Sequence, residues 1–313
     1  MNSTFSALLV GTLAPLLALA QTPPAMVAPD VIPAALTALS AHVHAIPDNS
    51  VPMVSNIGFV VGRKAVLVID TGLGLKNGAI VAATAARLAP GKPVYIVITH
   101  AHPEHDLGAG AFPASSKLIR SRDQQADLRD QAPITNRMIA SRSPVFAALI
   151  DGVPFREADI SFDNEYVLDL GGVKARIMAM GPNHTAGDTA VWIPGDRVLF
   201  AGDLAMKRQP VLMAPGVTIA HWLMTLDRIE KLQPTIVVPS HGPIGDTGLI
   251  QGYRSYLTEI RDRTTAAKGR GLDLDATTEE VAQAMLSRYP SRAQIANAVK
   301  VAFDEPRPPA PRT

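Results

Sequence analysis

One short stretch constrains the fold of this chain more than any other. The apolar run VYIVI, residues 94–98, leads directly into THAHPEHD, residues 99–106. The run is typical of a buried β-strand, so the polar residues after it lie on a loop at the carboxyl end of that strand. Three of the eight histidines of the chain stand within six positions there. The fold must therefore bring this strand end to a place where other elements converge.

Three further loops repeat the arrangement, in which a strand-like run ends and a side chain able to bind a metal follows. They are MAMGPNHTAGD with His184, VLFAGDL with Asp203 and IVVPSHGPIGD with His241. We expect these strand ends to share one edge and the four loops to face a common cleft.

The spacing of the histidines predicts a first ion. Residues i and i+2 on extended or loop backbone point to the same side, so the imidazoles of His100 and His102 can converge on one metal. His184 then completes a site made only of histidines. The chain has no cysteine, which excludes thiolate ligands, disulfides and a thiol nucleophile.

A second ion is predicted beside the first. Glu104 and His105 face a second position, His241 joins them, and the two oxygens of Asp203 can bridge both ions. In two-metal hydrolases the ions lie about 3.5–4 Å apart with a water or hydroxide between them. Nitrogen and oxygen ligands suit two Zn²⁺ ions, and iron or manganese remains open.

The motifs THAHPEHDLG, GPNHTAGD, FAGD and PSHG resemble, in order and context, those of the metallo-β-lactamase superfamily, and NIGFVVG with AVLVIDTG resembles its opening hairpin. The resemblance covers about residues 54–245. It implies a four-layer αββα sandwich, an α/β (α+β) fold with the dinuclear site at the edge of two sheets. Without cysteine, the third β-lactamase subclass and the glyoxalase II-like hydrolases remain possible. A closer resemblance is to secreted zinc metallohydrolases of quinoprotein relay systems.

Glu104 departs from the superfamily pattern, which normally has aspartate at this position. Its side chain is one methylene longer, so it can still coordinate, but its carboxylate reaches farther and adopts more rotamers. Two roles stay open: Glu104 binds the second ion, or it remains off the metal and acts catalytically by accepting a proton.

Several other polar residues are interpreted as supporting or structural. Asp70 is expected to brace its loop or to support a metal ligand from behind. Asp188 and Asp106 are each expected either to orient a ligand imidazole or to face solvent, and Ser240 lacks the surroundings of a nucleophile. The basic pair Lys207 and Arg208 is expected to be solvated, although it could meet a substrate carboxylate. The remaining histidines are interpreted as surface or packed structural residues: His42, His44 and His221.

Composition and patterning predict the organisation of the chain. Residues 1–20 read as a signal peptide, 21–52 as an irregular arm and 53–247 as the core, with a helical insert at 122–150 that roofs the pocket. Residues 248–303 are expected to form helices that complete the fold, and 304–313 a disordered tail. These features predict a periplasmic or secreted protein without stable membrane insertion after signal cleavage.

The predicted function is hydrolysis by a metal-bound hydroxide that attacks a carbonyl, most readily that of a β-lactam-type amide or a related lactone or thioester. A formal net charge of +1 indicates a small-molecule partner rather than nucleic acid. The alternative is a non-enzymatic or weakly active metal-binding accessory protein of a periplasmic quinoprotein oxidation pathway, which Glu104 favours. The oligomeric state is left open.

Overall fold

The structure is a computed structural model that describes residues 27–207 and 216–306. The predicted signal peptide, Arg208 and residues 307–313 of the predicted tail lie outside the described residues. Among the helices of the described ranges, none is long and apolar enough to cross a membrane.

The first half of the chain forms a seven-stranded sheet. Strands β1 to β4 pair antiparallel, and β4 to β7 pair parallel. The strands follow one another in the sheet in chain order. They are β1 (Thr37–Ala38), β2 (Val43–Ile46), β3 (Ile57–Val61), β4 (Val66–Ile69), β5 (Val94–Val97), β6 (Lys117–Ser121) and β7 (Ile160–Phe162).

The second half forms a five-stranded sheet in which all pairs are antiparallel except the last. Strands β11 and β12 pair parallel at one edge. The strands are β8 (Glu165–Asp169), β9 (Lys174–Ala179), β10 (Thr189–Ile193), β11 (Val198–Gly202) and β12 (Ile236–Pro239).

Nine α-helices lie within the described residues, with short 3-10 helices at Pro33–Ala35 and Leu107–Ala111. The α-helices are α1 (Gly74–Leu88), α2 (Pro103–Asp106), α3 (Arg122–Asp130), α4 (Ala132–Ala140), α5 (Pro144–Ile150), α6 (Ile219–Glu230), α7 (Gly248–Gly269), α8 (Leu274–Met285) and α9 (Arg292–Asp304).

Both sheets are buried on both faces. In β4, Leu67 and Ile69 pack into the cluster between the sheets, whereas Val66 and Val68 pack with residues of α1 such as Val81. The second sheet repeats the alternation, because one face of β10 joins the cluster between the sheets and the other packs with α6 to α9. This order of layers is the predicted αββα sandwich, and it explains why the strands read as continuous apolar runs.

The structure corrects one expectation about the organisation of the chain. Part of residues 21–52, expected to be irregular, forms β1 and β2, and β2 pairs along its length with β3. The insert at 122–150 is helical in pieces as predicted, with Pro133 and Pro144 each in the first turn of a helix, where no backbone N–H is needed. The C-terminal helices pack on the second sheet.

Strand direction brings the motif loops to one edge. In the first sheet β4, β5 and β6 run parallel. In the second, β9, β11 and β12 share one direction, because β10 is antiparallel to both β9 and β11. The Thr189 N–H at the start of β10 donates to the Thr99 carbonyl at 2.7 Å, which joins the two sheets at the edge where these strands end.

Candidate metal centre

Three histidines from two loops form the first metal-competent group. His100 Nε2 lies 3.1 Å from His102 Nδ1, and His184 Nε2 lies 3.2 Å from the same atom. Zinc bound to histidine nitrogens at 2.0–2.1 Å in a tetrahedron would separate those nitrogens by about 3.3 Å. These two separations would suit three histidine ligands of one divalent metal ion.

Hydrogen bonding fixes which nitrogen of His100 faces this centre. The Thr99 hydroxyl donates to Asp70 at 2.9 Å, so its oxygen is left to accept from His100 Nδ1 at 3.2 Å. Burial and then the neighbouring histidines hold the pKa of His100 and of His102 well below the usual value, so both imidazoles are neutral at pH 7. His100 Nε2 consequently presents a lone pair that a cation can accept.

Glu104, His105 and His241 form the second group of residues that could hold a metal ion. Glu104 Oε1 lies 3.9 Å from the Nε2 atoms of both histidines. His241 Nδ1 donates to the Val54 carbonyl at 2.9 Å, which leaves its Nε2 as an acceptor toward the group. The longer glutamate side chain thus brings Oε1 equally close to both histidines.

Asp70 holds the imidazole of His105 from behind. Its carboxylate accepts from His105 Nδ1 at 2.8 Å and from the Thr99 N–H at 2.7 Å. Burial lowers the pKa of His105, but the charge and hydrogen bond of Asp70 outweigh it and raise that pKa to about 9. Because Asp70 occupies Nδ1, Nε2 is the nitrogen that His105 aims at the second group.

Asp203 connects the two groups. It forms a third metal-competent set with His100 and His105, and its Oδ2 lies 3.2 Å from His184 Nε2. Three atoms aimed into the centre are buried without a hydrogen-bond partner among the described residues: His105 Nε2, Asp203 Oδ1 and Glu104 Oε2. Unsatisfied buried polar atoms of this kind are costly, and metal ions between the groups would satisfy them.

The loop that carries His184 is braced by Asp188. The Asp188 carboxylate accepts from the N–H and the hydroxyl of Thr185, at 3.0 and 2.7 Å, and from the Asn183 N–H at 3.1 Å. It therefore shapes the turn around His184 and is buried, so it does not face solvent.

Asp106 takes neither of the roles predicted for it. It is buried in an ion pair with Arg120 at 2.6 Å, and both side chains are fully inaccessible to solvent. Arg120 also donates to Gln124, whose amide donates to the carbonyl of Ile98, just before His100, and to that of Gly187, just after the loop of His184. Sequence reasoning missed this network, because nothing local marks Arg120 as buried.

The other polar residues singled out by the sequence belong to none of the three groups. His42 pairs with Asp196 at 3.0 Å, His44 belongs to β2 and His221 belongs to α6. The Ser240 N–H donates to the Gly202 carbonyl, which fits a loop residue. Lys207 is exposed.

Comparison with known proteins agrees with this fold and edge site. Residues 51–241 match the sequence model of the Metallo-beta-lactamase superfamily. Because the match spans more than half of the chain and the fold is the αββα sandwich, the chain belongs to this superfamily.

Individual relatives are distant. The Metallo-beta-lactamase type 2 of Bacteroides fragilis is 25% identical over 130 residues, which are 40% of this chain and 51% of that protein. The human Acyl-coenzyme A thioesterase MBLAC2 is 24% identical over 190 residues, 57% of this chain and 68% of that protein. The structure of a stereoselective inverting sec-alkylsulfatase from Pseudomonas sp. has a TM-score of 0.63 at 14% identity, over 86% of this chain and 49% of that chain. The chain thus spans about half the length of several relatives that it matches.

Proposed function

We propose that this protein is a metal-dependent hydrolase with two zinc ions. His100, His102 and His184 would hold the first ion, and the second would be held by Glu104, His105 and His241. Asp203 would contribute to both. The observation that carries the proposal is the position of Asp203, because one carboxylate that reaches both histidine groups is the arrangement that a two-ion centre requires.

The chemistry divides between the ions and the chain. Zinc ions, when bound, act as Lewis acids and lower the pKa of a water ligand to about 7, which supplies a nucleophile at neutral pH without serine or cysteine. Asp70 keeps His105 in the tautomer that presents Nε2. Glu104 Oε2 has no hydrogen-bond partner among the described residues, so it is free to orient a water and to accept its proton.

The substrate class that we propose is a small molecule with an activated carbonyl, namely a β-lactam-type amide, a lactone or a thioester. Two relatives support this range by name, one a β-lactamase and one an acyl-CoA thioesterase. The nearly balanced net charge of +1 gives no reason to expect a nucleic-acid substrate.

The test is chelator-sensitive turnover by zinc-loaded protein, assayed on a chromogenic cephalosporin, a lactone, an acyl-CoA thioester and an alkyl sulfate. We expect two zinc ions per chain by elemental analysis and hydrolysis that a chelator abolishes and added zinc restores. His102→Ala should lose more than about 10²-fold in kcat/KM. His42→Ala is the matched control, because His42 is a paired histidine outside the three groups.

Each other outcome contradicts part of the proposal. Full activity of His102→Ala after zinc reloading would refute the assigned ligands. Iron or manganese in active protein would replace zinc as the cofactor. Fewer than two ions together with no turnover on any substrate would favour the metal-binding accessory role instead, with Glu104 as the first residue to change to aspartate.

We also propose that the protein acts outside the cytoplasm after removal of residues 1–20. This proposal rests on the apolar N-terminal run, which ends in the small-residue pattern Ala18-Leu19-Ala20. N-terminal sequencing of the exported protein should begin at Gln21. A mature chain that keeps Met1 would contradict it.

A further inference from the structure

A cavity of about 880 Å³ opens beside the metal centre. Two of its walls adjoin predicted ligands, because Met206 follows Asp203 by three residues and Gly242 directly follows His241. The remaining wall comes from the N-terminal half of α7 and from the segment between α8 and α9. Pockets that bind small organic molecules commonly have volumes of about 300–1,000 Å³.

The walls of this cavity combine apolar surface with positive charge. Met206, Leu249 and Tyr289 supply apolar surface, and Arg288 and Lys207 supply two cations. Among the described residues that line the cavity there is no aspartate or glutamate. A ligand that complements these walls has an apolar body and a negatively charged group.

We propose that this cavity binds an amphipathic organic anion as the part of the substrate that does not react. The proposal rests on the proposed hydrolase function and extends it, because it assigns a chemical class to the substrate. Arg288 pairs with the charge of the ligand, and the aromatic and aliphatic side chains contact its apolar body.

Arg288 is held in place for this role. Its Nη2 donates to Glu259 at 2.6 Å, and its guanidinium lies 5.4 Å from the centre of the Tyr289 ring. Its side chain is 52% exposed, so the guanidinium lies where the cavity meets solvent. A guanidinium has five N–H donors, and the contact with Glu259 leaves others available to a carboxylate or sulfonate.

Gly252 keeps the cavity open from the side of α7. It lies in the interior of this helix, where glycine weakens the helix relative to alanine. A Cβ built at Gly252 would meet no atom within 4 Å, and the residue lines the cavity. Packing therefore does not require glycine at this position, and there is room for a larger side chain on this wall of the cavity.

Tyr253, the next residue of α7, lies behind the same wall. It is 2% exposed, and its ring packs against Trp222 and Tyr256. Burial raises the pKa of Tyr253 well above the usual value, and Tyr256 and Asp203 raise it further. The phenol thus keeps its proton at neutral pH and adds no negative charge beside the cavity.

The test uses two fluorescent probes and the zinc-loaded full chain. One probe is the anionic 1-anilinonaphthalene-8-sulfonate, and the other is the uncharged N-phenyl-1-naphthylamine. We expect Arg288→Gln to weaken binding of the sulfonate about tenfold and to leave binding of the neutral probe within twofold. Arg263→Gln is the matched control, because Arg263 bonds the same Glu259 carboxylate at 2.7 Å but does not line the cavity.

A second variant tests the location of the binding site by filling the cavity with a bulky side chain rather than by removing a charge. Gly252→Trp should abolish binding of both probes, whereas Ser255→Trp, at an exposed position of the same helix outside the cavity lining, should not. Circular dichroism establishes that each variant is folded. Binding that neither Arg288→Gln nor Gly252→Trp alters, or no binding of the sulfonate by the unaltered protein, would overturn the proposal.

The proposal for the cavity and the proposal for the hydrolase function can be refuted independently of each other. Probe binding needs no turnover, so its loss in Gly252→Trp would support the cavity even if no substrate were hydrolysed. Conversely, turnover of an anionic substrate with the same KM in the unaltered protein, Arg288→Gln and Gly252→Trp would refute the cavity and leave the hydrolase intact.

Discussion

The Asp70 carboxylate accepts a hydrogen bond from His105 Nδ1 at 2.8 Å, between side chains that are 1% and 0% exposed. Asp70 follows β4 and His105 lies on α2, so this bond joins two neighbouring strand ends. It also sets the nitrogen that His105 offers to a metal, and that dependence can be measured.

Asp70→Asn should weaken the second metal site selectively. The amide cannot supply the negative charge that stabilises His105, and loss of such a partner typically costs 10–100-fold in metal affinity. Zinc competition titrations should show this loss for one ion of the two. Asp196→Asn, which alters the His42–Asp196 pair outside the centre, is the control, and equal affinities in the two variants would contradict the role of Asp70.

Arg120→Met should be strongly destabilising, because it leaves the Asp106 carboxylate buried without its partner. Breaking one side of a buried ion pair costs about 3–5 kcal/mol. Arg122→Met should cost less than about 1 kcal/mol, since its contact with Asp163 is exposed on both sides. Urea denaturation gives both free energies of unfolding. Similar losses of unfolding free energy in the two variants would contradict the larger contribution expected of the buried ion pair.

Two helical glycines should respond to alanine with opposite signs. A Cβ at Gly78 in α1 would lie 2.0 Å from the Gly108 carbonyl oxygen, so Gly78→Ala should destabilise by about 1–3 kcal/mol through overpacking. Gly252→Ala in α7 meets open space and should stabilise by up to about 1 kcal/mol through helix propensity. Thermal unfolding of both variants checks the signs, and stabilisation by Gly78→Ala would refute the close approach.

His44 should make the protein less stable in mild acid. Burial lowers the pKa of His44 below 6.5, so the unfolded chain binds a proton more readily than the folded protein does. The contribution of His44 is therefore fully present above pH 6.5 and is lost as the pH falls through its folded pKa. Between pH 7.5 and 5.5, His44→Gln should lose less stability to urea than the unaltered protein. An identical loss would contradict the effect.

The grouping of the candidate ligands could be predicted from local sequence patterns, whereas much of their surroundings could not. All seven proposed ligands stand directly after strand-like runs, and the structure brings them together in three overlapping groups. This succeeds because parallel strand ends meet at one edge, so a local pattern has a predictable place in the fold. The sandwich followed from the same motifs through the family resemblance.

What the sequence did not predict depends on contacts between distant residues. The side chain of Asn56 bonds the carbonyls of Pro239 and Gly242, more than 180 residues away, and so ties the start of β3 to the loop of His241. Likewise β1 and β2 become strands only because β3 offers a free edge. The predicted roof at 122–150 contributes nothing to the 880 Å³ cavity, whose lining comes largely from residues after 241.

The cavity wall and the metal ligands occupy largely separate stretches of the chain. All seven proposed ligands lie between His100 and His241, whereas α7 and the segment between α8 and α9 supply most of the wall and contain none of them. Amino-acid changes in those C-terminal helices can therefore accumulate without disturbing a single ligand atom. Under the proposed role of the cavity, the residues that select the substrate and the residues that hold the metal can therefore change independently during evolution.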